Sequence, residues 1–233
     1  MEIEREIELL VPHNYQISAP DAGLPAPLPL IVGLHGYGGD MVSMMRVAKG
    51  ISGEDFVVAS VQGPHQFLSP PLEEGNIEKV GFGWLTKYRS ADSQARHHAL
   101  IRYVIEDAAE NFRADRSSVF LIGFSQACAL NYRLALSQPG LLRGVVGVCG
   151  GVPGDLHHSG RYQRIPAAIL HIAAAKDQYY SLEETRRYEK TLGRYSDDVT
   201  YREFDSPHAF PRRSIPFIRK WILERCLRSR SSS

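Results

Sequence analysis

Cysteine, net charge and long apolar runs are all scarce in this chain, and each shortage excludes a class of protein. The 233 residues include three cysteines, too few for a disulfide framework, and the odd count favours a reducing compartment such as the cytoplasm. The 27 basic and 26 acidic side chains leave a net charge of +1, so we expect no nucleic-acid partner. No apolar run approaches the ~18 residues of a membrane-spanning helix, and the charged start predicts no signal peptide.

Short apolar runs instead alternate with amphipathic stretches along most of the sequence. Runs without a polar face are typical of strands in a parallel sheet that is covered on both sides. They occupy 30–34, 56–61, 119–122, 144–149 and 168–172, and helix-like stretches occupy 41–49, 92–111, 126–137, 182–192 and 214–228. The alternation predicts an α/β fold with a mostly parallel central sheet and helices on both faces. Helical spacing predicts these buried positions in the second helix: Ala95, Ala99, Leu100, Tyr103 and Val104.

The two ends of the chain are predicted to lie outside this core. Alternating apolar residues over 6–11 predict an edge strand. Four prolines within 19–29 exclude helix and central strand, which makes that stretch a surface connection. We therefore expect a single domain over 1–233, in which 1–29 supplies the first strand and the proline-rich connection. The polar tail 229–233 is predicted to fray.

Ser125 lies in the stretch Gly123-Phe124-Ser125-Gln126-Ala127, which matches the pattern G-x-S-x-[G/A]. A strand-like run comes directly before it and a helix-like stretch directly after it, the setting that a nucleophile elbow requires. The small residues two before and two after the serine allow the tight approach of such a turn. The alternative is a serine that caps a helix after a glycine turn.

A histidine that serves Ser125 is expected later in the chain, because triads on this kind of fold run in the order serine, acid, histidine. His208 lies in a loop between a predicted strand and the last helix, where catalytic groups are commonly presented. His171 falls inside an apolar run and is predicted to be a core residue. His157 and His158 precede the preferred acid, so His208 is the predicted base.

Asp177 is the predicted acid, because it follows the apolar run 168–172 through a short turn. Its role would be to orient His208 and stabilise the imidazolium without taking the proton. Asp155 is the second choice, and Asp205 is a third that lies close to the histidine in sequence.

A glycine-rich stretch, 34–40, follows the first buried run directly. Its glycines allow unusual backbone angles and a close approach to a ligand. The backbone N–H groups of Tyr37 and Gln126 are the predicted oxyanion donors. The glycine spacing matches neither phosphate-binding pattern, so nucleotide binding is not expected.

Together these features resemble the phospholipase/carboxylesterase family of α/β-hydrolases, over about 30–227. The residues that carry the resemblance are the 34–40 stretch, the Ser125 motif, Asp177 and His208. The resemblance implies an α/β-hydrolase fold with a minimal cap domain or none. It also implies cleavage of esters or thioesters without a cofactor.

The resemblance further implies that Trp84 and Phe82 bind substrate near the acyl pocket. The sequence departs from the family pattern at Ala127, at 174–176 before the acid, and at Pro207 before the histidine. These departures leave the triad in place. They leave the subfamily, and with it the substrate, open.

The prediction is a serine hydrolase that cleaves small-molecule carboxylic esters through an acyl-enzyme. An acyl thioesterase on the same triad and a non-catalytic ligand-binding α/β-hydrolase are the alternatives. The adjacent histidine pairs 97–98 and 157–158 lack metal-ligand spacing and are expected on the surface, so no metal is predicted. The apolar segment 62–91 is a lid, a pocket wall or a packed loop, and the oligomeric state is open between monomer and homodimer.

Overall fold

A computed structural model describes residues 1–7, 9–20, 27–69, 79–157 and 160–230. The strands are β1 (Tyr15–Ser18), β2 (Leu28–Leu34), β3 (Val57–Val61), β4 (His65–Ser69), β5 (Lys79–Gly83), β6 (Ala114–Phe124), β7 (Gly144–Val148), β8 (Ala168–Lys176) and β9 (Val199–Pro207). The helices are α1 (Met41–Ser52), α2 (Ser90–Asn111), α3 (Gln126–Ser137), α4 (Leu182–Leu192) and α5 (Ser214–Arg230).

Seven of the strands form one sheet in the order β1-β3-β2-β6-β7-β8-β9. All neighbours are parallel except β1, which pairs antiparallel with β3 at the edge. The apolar runs that predicted two-sided strands are buried on both faces, as in the fully buried β3 and β7. Helices α1 and α5 pack on one face, while α2, α3 and α4 pack on the other. The predicted fold class is confirmed.

The N-terminal strand lies later than predicted. The described residues of 6–11 are irregular and exposed, and the edge strand is β1 at Tyr15–Ser18. Periodicity alone did not locate it, because the strand depends on pairing with the distant β3. Pro29 is also part of β2 rather than of a surface connection. It lies at a shift in register between Leu28 and Leu30, where a residue without an N–H is tolerated. Residues 21–26 of the proline-rich stretch lie outside the described residues.

The face that α2 buries differs from the predicted one. Its buried residues are Ser93, His97, Ile101, Val104, Ile105 and Ala108, and only Val104 was predicted. Ala95 and Ala99 are exposed, and Tyr103 is 63% exposed. The first two buried residues of α2, Ser93 and His97, are polar. The spacing of apolar residues therefore predicted a different face of the helix.

The segment 62–91 contains an antiparallel hairpin, β4–β5, whose connection 70–78 lies outside the described residues. A bridge between Gly39 and Phe82 joins this hairpin to the loop that follows β2. At the other end of the chain α5 continues through Arg230, where a frayed tail was predicted, and 231–233 lie outside the described residues. Among the described helices none is both long and apolar enough to cross a bilayer.

Candidate active site

Ser125 occupies a sharp turn between the end of the central strand β6 and the start of α3. Its φ of +53° lies in the left-handed region, which is costly for a residue with a side chain and fits the strained turn that the sequence predicted. A Cβ on Gly123 would lie 2.5 Å from Asn131 Nδ2 and 3.2 Å from Ala127, so a side chain there would crowd both neighbours. The predicted close approach of positions 123 and 127 is confirmed.

His208 reaches Ser125 from the end of β9. Its Nε2 lies 2.9 Å from the Ser125 Oγ, and its Nδ1 lies 2.8 Å from Asp177 Oδ2. Because the carboxylate accepts the Nδ1 proton, the lone pair of Nε2 faces the serine hydroxyl. The sheet brings the three predicted residues together although they are separated by 83 and 31 positions of sequence.

Asp177 is held in place by the turn that follows β8. Its side chain is only 1% exposed. Its second oxygen, Oδ1, accepts hydrogen bonds from the backbone N–H groups of Tyr179 at 2.8 Å and Tyr180 at 3.1 Å. Both carboxylate oxygens are therefore occupied, which fixes the orientation of the group that points at His208.

The other candidate acids and histidines have different partners. Asp155 pairs with Arg133 at 2.5 Å, and Asp205 pairs with Lys176 at 2.7 Å. His171 is fully buried and its Nδ1 lies 2.9 Å from the Tyr132 hydroxyl, as expected for a core histidine.

Contacts on both sides of His208 hold its loop. The backbone N–H of His208 donates to Gln178 Oε1 at 3.4 Å. The thiol of buried Cys149 donates to the carbonyl of Ala209 at 3.5 Å. Burial raises the pKa of Cys149 to about 12, so this thiol keeps its proton and remains a donor.

The glycine-rich loop after β2 passes directly beside the serine. A Cβ on Gly36 would lie 2.7 Å from the Phe124 ring and 3.2 Å from Ser125 Cβ. Gly38 has a φ of +78°, and its N–H donates to the carbonyl of half-buried Phe82 at 2.8 Å. Glycine thus permits both the approach at 36 and the turn at 38.

The backbone N–H groups of Tyr37 and Gln126 stand free beside this loop. Neither has a hydrogen-bond partner within the described part of the chain. The first N–H groups of a helix lack an acceptor inside that helix, which leaves the Gln126 donor available at the start of α3. Two free donors at this point suit an oxygen that gains negative charge.

The buried ring of His35 fixes the backbone next to Tyr37. Its Nε2 accepts a hydrogen bond from the Gly63 N–H at 2.9 Å, so Nδ1 carries the proton and donates to the Gly36 carbonyl at 2.7 Å. Burial lowers the pKa of His35, which favours this neutral form.

Trp84, which the resemblance implies to bind substrate, is fully buried in this structure. Its indole N–H donates to the His35 carbonyl at 2.8 Å, and its backbone N–H donates to Gln126 Oε1 at 2.8 Å. Gln126 Nε2 donates in turn to the Leu85 carbonyl at 3.0 Å. Trp84 therefore braces both backbone segments that carry the free donors.

The sequence predicted that the histidine pair 97–98 lies on the surface, but the structure does not place it there. His97 is fully buried beside Trp84, with Nε2 3.1 Å from Asn131 Oδ1, and His98 is half-buried. Burial lowers the pKa of His97 to about 3. Of the other pair, His157 is exposed and His158 lies outside the described residues. No group of three or more potential metal ligands occurs among the described side chains.

Tyr37 lines two hollows in the surface. We call the first the Phe124 cavity: it measures about 220 Å³ and is lined mainly by Tyr37, Met44, Val47, Phe124 and Phe210. We call the second the Phe67 groove: it measures about 490 Å³ and is lined mainly by Tyr37, His65, Gln66, Phe67, Leu85 and Thr86. A third hollow of about 550 Å³, near the end of α1, contains none of the predicted site residues.

Aromatic residues that were not predicted from the sequence lie around His208. Phe124 packs against the imidazole with ring centroids 5.2 Å apart, Tyr179 meets it edge-on at 4.7 Å, and Phe210 contacts Phe124. Their positions in the sequence could have indicated them, because each of these residues lies within two residues of a predicted triad member.

Known proteins resemble this chain in both sequence and fold. A probable feruloyl esterase C of Aspergillus flavus is 30% identical over 151 residues, which cover 64% of this chain and 47% of that relative. The match thus spans about half the length of the curated relative.

Solved structures share the fold at lower identity. A Bacillus cereus carboxylesterase superposes with a TM-score of 0.69 at 18% identity, covering 91% of this chain and 94% of the other. A Mesorhizobium loti carboxylesterase gives 0.70 at 21% identity with the same coverage. The sequence profile of the phospholipase/carboxylesterase family matches residues 22–225, and the chain belongs to that family of α/β-hydrolases.

Proposed function

We propose that this protein hydrolyses carboxylic esters through a serine acyl-enzyme. The observation that carries the proposal is the unbroken hydrogen-bond chain from Ser125 Oγ through His208 to Asp177, with distances of 2.9 and 2.8 Å. In this proposal Ser125 is the nucleophile, His208 the general base and acid, and Asp177 the group that orients the imidazole.

Acylation begins when Ser125 Oγ attacks the ester carbonyl carbon and its proton passes to His208 Nε2. The electron pair of the carbonyl bond moves onto oxygen, and the Tyr37 and Gln126 N–H groups receive that oxyanion. The N-terminus of α3 also favours the negative charge there. The C–O bond to the alcohol then breaks, and His208 gives its proton to the departing oxygen.

Deacylation repeats these steps with water. His208 takes a proton from water, the hydroxide oxygen bonds to the acyl carbon, and the second tetrahedral intermediate collapses. Ser125 leaves with the proton from His208, and a carboxylic acid is released. No step requires an oxidant, reductant or further reactant.

The substrate is a small uncharged ester, in keeping with the family and with the net charge of +1. The curated relative is named a probable feruloyl esterase, so esters of aromatic acids belong in the first panel tested. Thioesters of the same acids test the thioesterase alternative on the same triad.

The decisive experiment compares p-nitrophenyl esters of graded acyl length with the wild type, Ser125→Ala and Ser117→Ala. Ser117 is an exposed serine on the same strand, β6, and serves as the matched control. We expect hydrolysis by the wild type and by Ser117→Ala, with at least a 10³-fold loss in Ser125→Ala.

A fluorophosphonate probe followed by peptide mass spectrometry should label Ser125 alone. An inactive wild type, equal rates in Ser125→Ala, or label on another residue would overturn the proposal. An inactive protein that still binds esters would favour the ligand-binding alternative.

We further propose that 1–233 acts as one catalytic domain in a reducing compartment, the cytoplasm. No disulfide joins cysteines in the described part of the chain, which supports that compartment. Limited proteolysis that released a stable active fragment would contradict the single domain, and fractionation that placed the protein outside the cytoplasm would contradict the location.

A further inference from the structure

We propose that Tyr37 divides the substrate, with the alcohol half of the ester in the Phe124 cavity and the acyl half in the Phe67 groove. This assignment rests on the proposed ester hydrolysis. The Tyr37 side chain lines both hollows and is 64% exposed. It extends from the same residue whose N–H is the proposed oxyanion donor, so a bound carbonyl places one substituent on each side of it.

The position of His208 decides which half lies where. In the tetrahedral intermediate the carbon carries Ser125 Oγ, the oxyanion, the alcohol oxygen and the acyl carbon. The alcohol oxygen must face His208 Nε2, because that nitrogen supplies its proton. The alcohol therefore extends toward the side of the site that His208 occupies.

The Phe124 cavity is the hollow on that side. The Phe124 ring packs on the His208 ring with centroids 5.2 Å apart. Phe210, two residues after His208, packs on Phe124 at 6.1 Å. Both phenylalanines line the cavity, whereas neither lines the Phe67 groove.

The Phe67 groove lies beside Gln126, and none of its lining residues is among the rings that pack on His208 in the described structure. Leu85 lines the groove, and its carbonyl accepts a hydrogen bond from Gln126 Nε2 at 3.0 Å. Gly83 also lines it, and a Cβ there would lie 3.4 Å from Gln126 Oε1. An acyl group that leaves the carbonyl carbon away from His208 enters this groove.

The two hollows favour halves of different size and chemistry. The Phe124 cavity, about 220 Å³, equals roughly seven water volumes of ~30 Å³ each and suits a short-chain or single-ring alcohol. The Phe67 groove is about twice as large, and its walls include polar His65, Gln66 and Thr86. Tyr37 and Phe67 stack in it with centroids 4.6 Å apart and planes 15° apart, a surface that favours a planar acyl group.

The first test varies the alcohol while the acid stays constant. We would measure kcat/KM for methyl, butyl and benzyl esters of one acid with wild type, Val47→Phe and Val42→Phe. Val47 lines the cavity, whereas Val42, five residues earlier on α1, is exposed and does not. We expect Val47→Phe to lower the benzyl-to-methyl ratio at least tenfold and Val42→Phe to leave it unchanged.

The second test varies the acid while the alcohol stays constant. Phe67→Ala should change the order of kcat/KM among methyl esters of acids of increasing size. The largest fall in kcat/KM is expected for esters of aromatic acids. Leu68→Ala is the matched control, because Leu68 is 65% exposed and faces the opposite side of β4. If Val47→Phe changes the preference among acids and Phe67→Ala changes the preference among alcohols, the assignment is reversed and the proposal is wrong.

A third test uses the unaltered protein and so does not depend on the folding of variants. Added alcohols compete with water for the acyl-enzyme, and by microscopic reversibility they bind where the leaving alcohol was held. We expect butanol and benzyl alcohol to give more transesterification product, per molar alcohol, than bulky secondary alcohols.

Equal partitioning of all these alcohols would overturn the assignment. Hydrolysis and Ser125 labelling would persist in that case, which separates failure of this inference from failure of the proposed function.

Discussion

The indole N–H of Trp84 donates to the backbone carbonyl of His35 at 2.8 Å, deep beneath the loop that carries the Tyr37 N–H. The backbone N–H of the same tryptophan holds the side chain of Gln126, the other proposed oxyanion donor. One residue with no exposed surface thus positions two donors that lie 89 residues apart in sequence, at 37 and 126.

Trp84→Phe should lower kcat by about tenfold and leave KM nearly unchanged, because oxyanion donors act mainly in the transition state. The change also leaves the buried His35 carbonyl without its donor, which costs roughly 1–3 kcal/mol of unfolding free energy. Steady-state kinetics and urea unfolding measure the two effects separately.

Trp221→Phe is the matched control for that experiment. Trp221 is 3% exposed, and its indole N–H donates to Thr200 Oγ1 at 3.2 Å on the other face of the sheet. It should lose a similar amount of stability with no change in kcat. A Trp84→Phe enzyme with normal kcat would show that the bracing is purely structural.

Asp177→Asn should lower kcat by about 10⁴-fold, because an amide does not hold the Nδ1–H tautomer of His208 as a carboxylate does. Asp155→Asn and Asp205→Asn change carboxylates that pair with Arg133 and Lys176 instead. Both should keep activity within a few-fold of the wild type. Full activity in Asp177→Asn, or a large loss in either comparison variant, would assign the acid elsewhere.

Ser125→Gly should be about 1 kcal/mol more stable than Ser125→Ala, although neither variant is active. Alanine keeps the Cβ that the φ of +53° disfavours, whereas glycine adopts that conformation freely. The larger conformational freedom of glycine in the unfolded chain offsets part of the gain. Urea unfolding of the two variants gives the difference, and a more stable alanine variant would argue against stored strain at the turn.

Local patterns predicted the elements whose stability depends on neighbours in sequence. Helix α3 and helix α4 begin and end where predicted, at 126–137 and 182–192. In α4 the reason is visible, because Ser181 accepts a hydrogen bond from the Glu184 N–H as a helix cap. The three residues of the proposed triad also lie together as the sequence predicted, since parallel strands bring their carboxyl ends to one edge of the sheet.

Three features that depend on distant partners were not predicted. The N-terminal strand was displaced because its position is set by pairing with β3. The buried face of α2 was not predicted because it includes the polar residues Ser93 and His97. His97 can be buried there because its Nε2 forms a hydrogen bond with Asn131 of α3. The burial of Trp84 was not predicted, because it depends on how the segment after the hairpin packs on His35.

The stability of the protein should fall as the pH drops below about 6.5. Burial lowers the pKa of both His97 and His171 to about 3 in the folded protein. The unfolded chain, with a histidine pKa near 6.5, therefore binds protons that the folded protein does not. Each histidine then contributes a loss of up to about 1.4 kcal/mol of unfolding free energy per pH unit, until the pH reaches about 3.

Urea unfolding of wild type and His97→Gln at pH 7, 6 and 5 tests this dependence residue by residue. The variant is expected to lose stability at every pH, because His97 is fully buried. Its slope against pH should nevertheless be smaller, since one of the groups that take up a proton on unfolding is gone. His157→Gln removes an exposed histidine and should keep the wild-type slope. Equal slopes in wild type and His97→Gln would mean that His97 is protonated in the folded protein, which its burial beside Trp84 opposes.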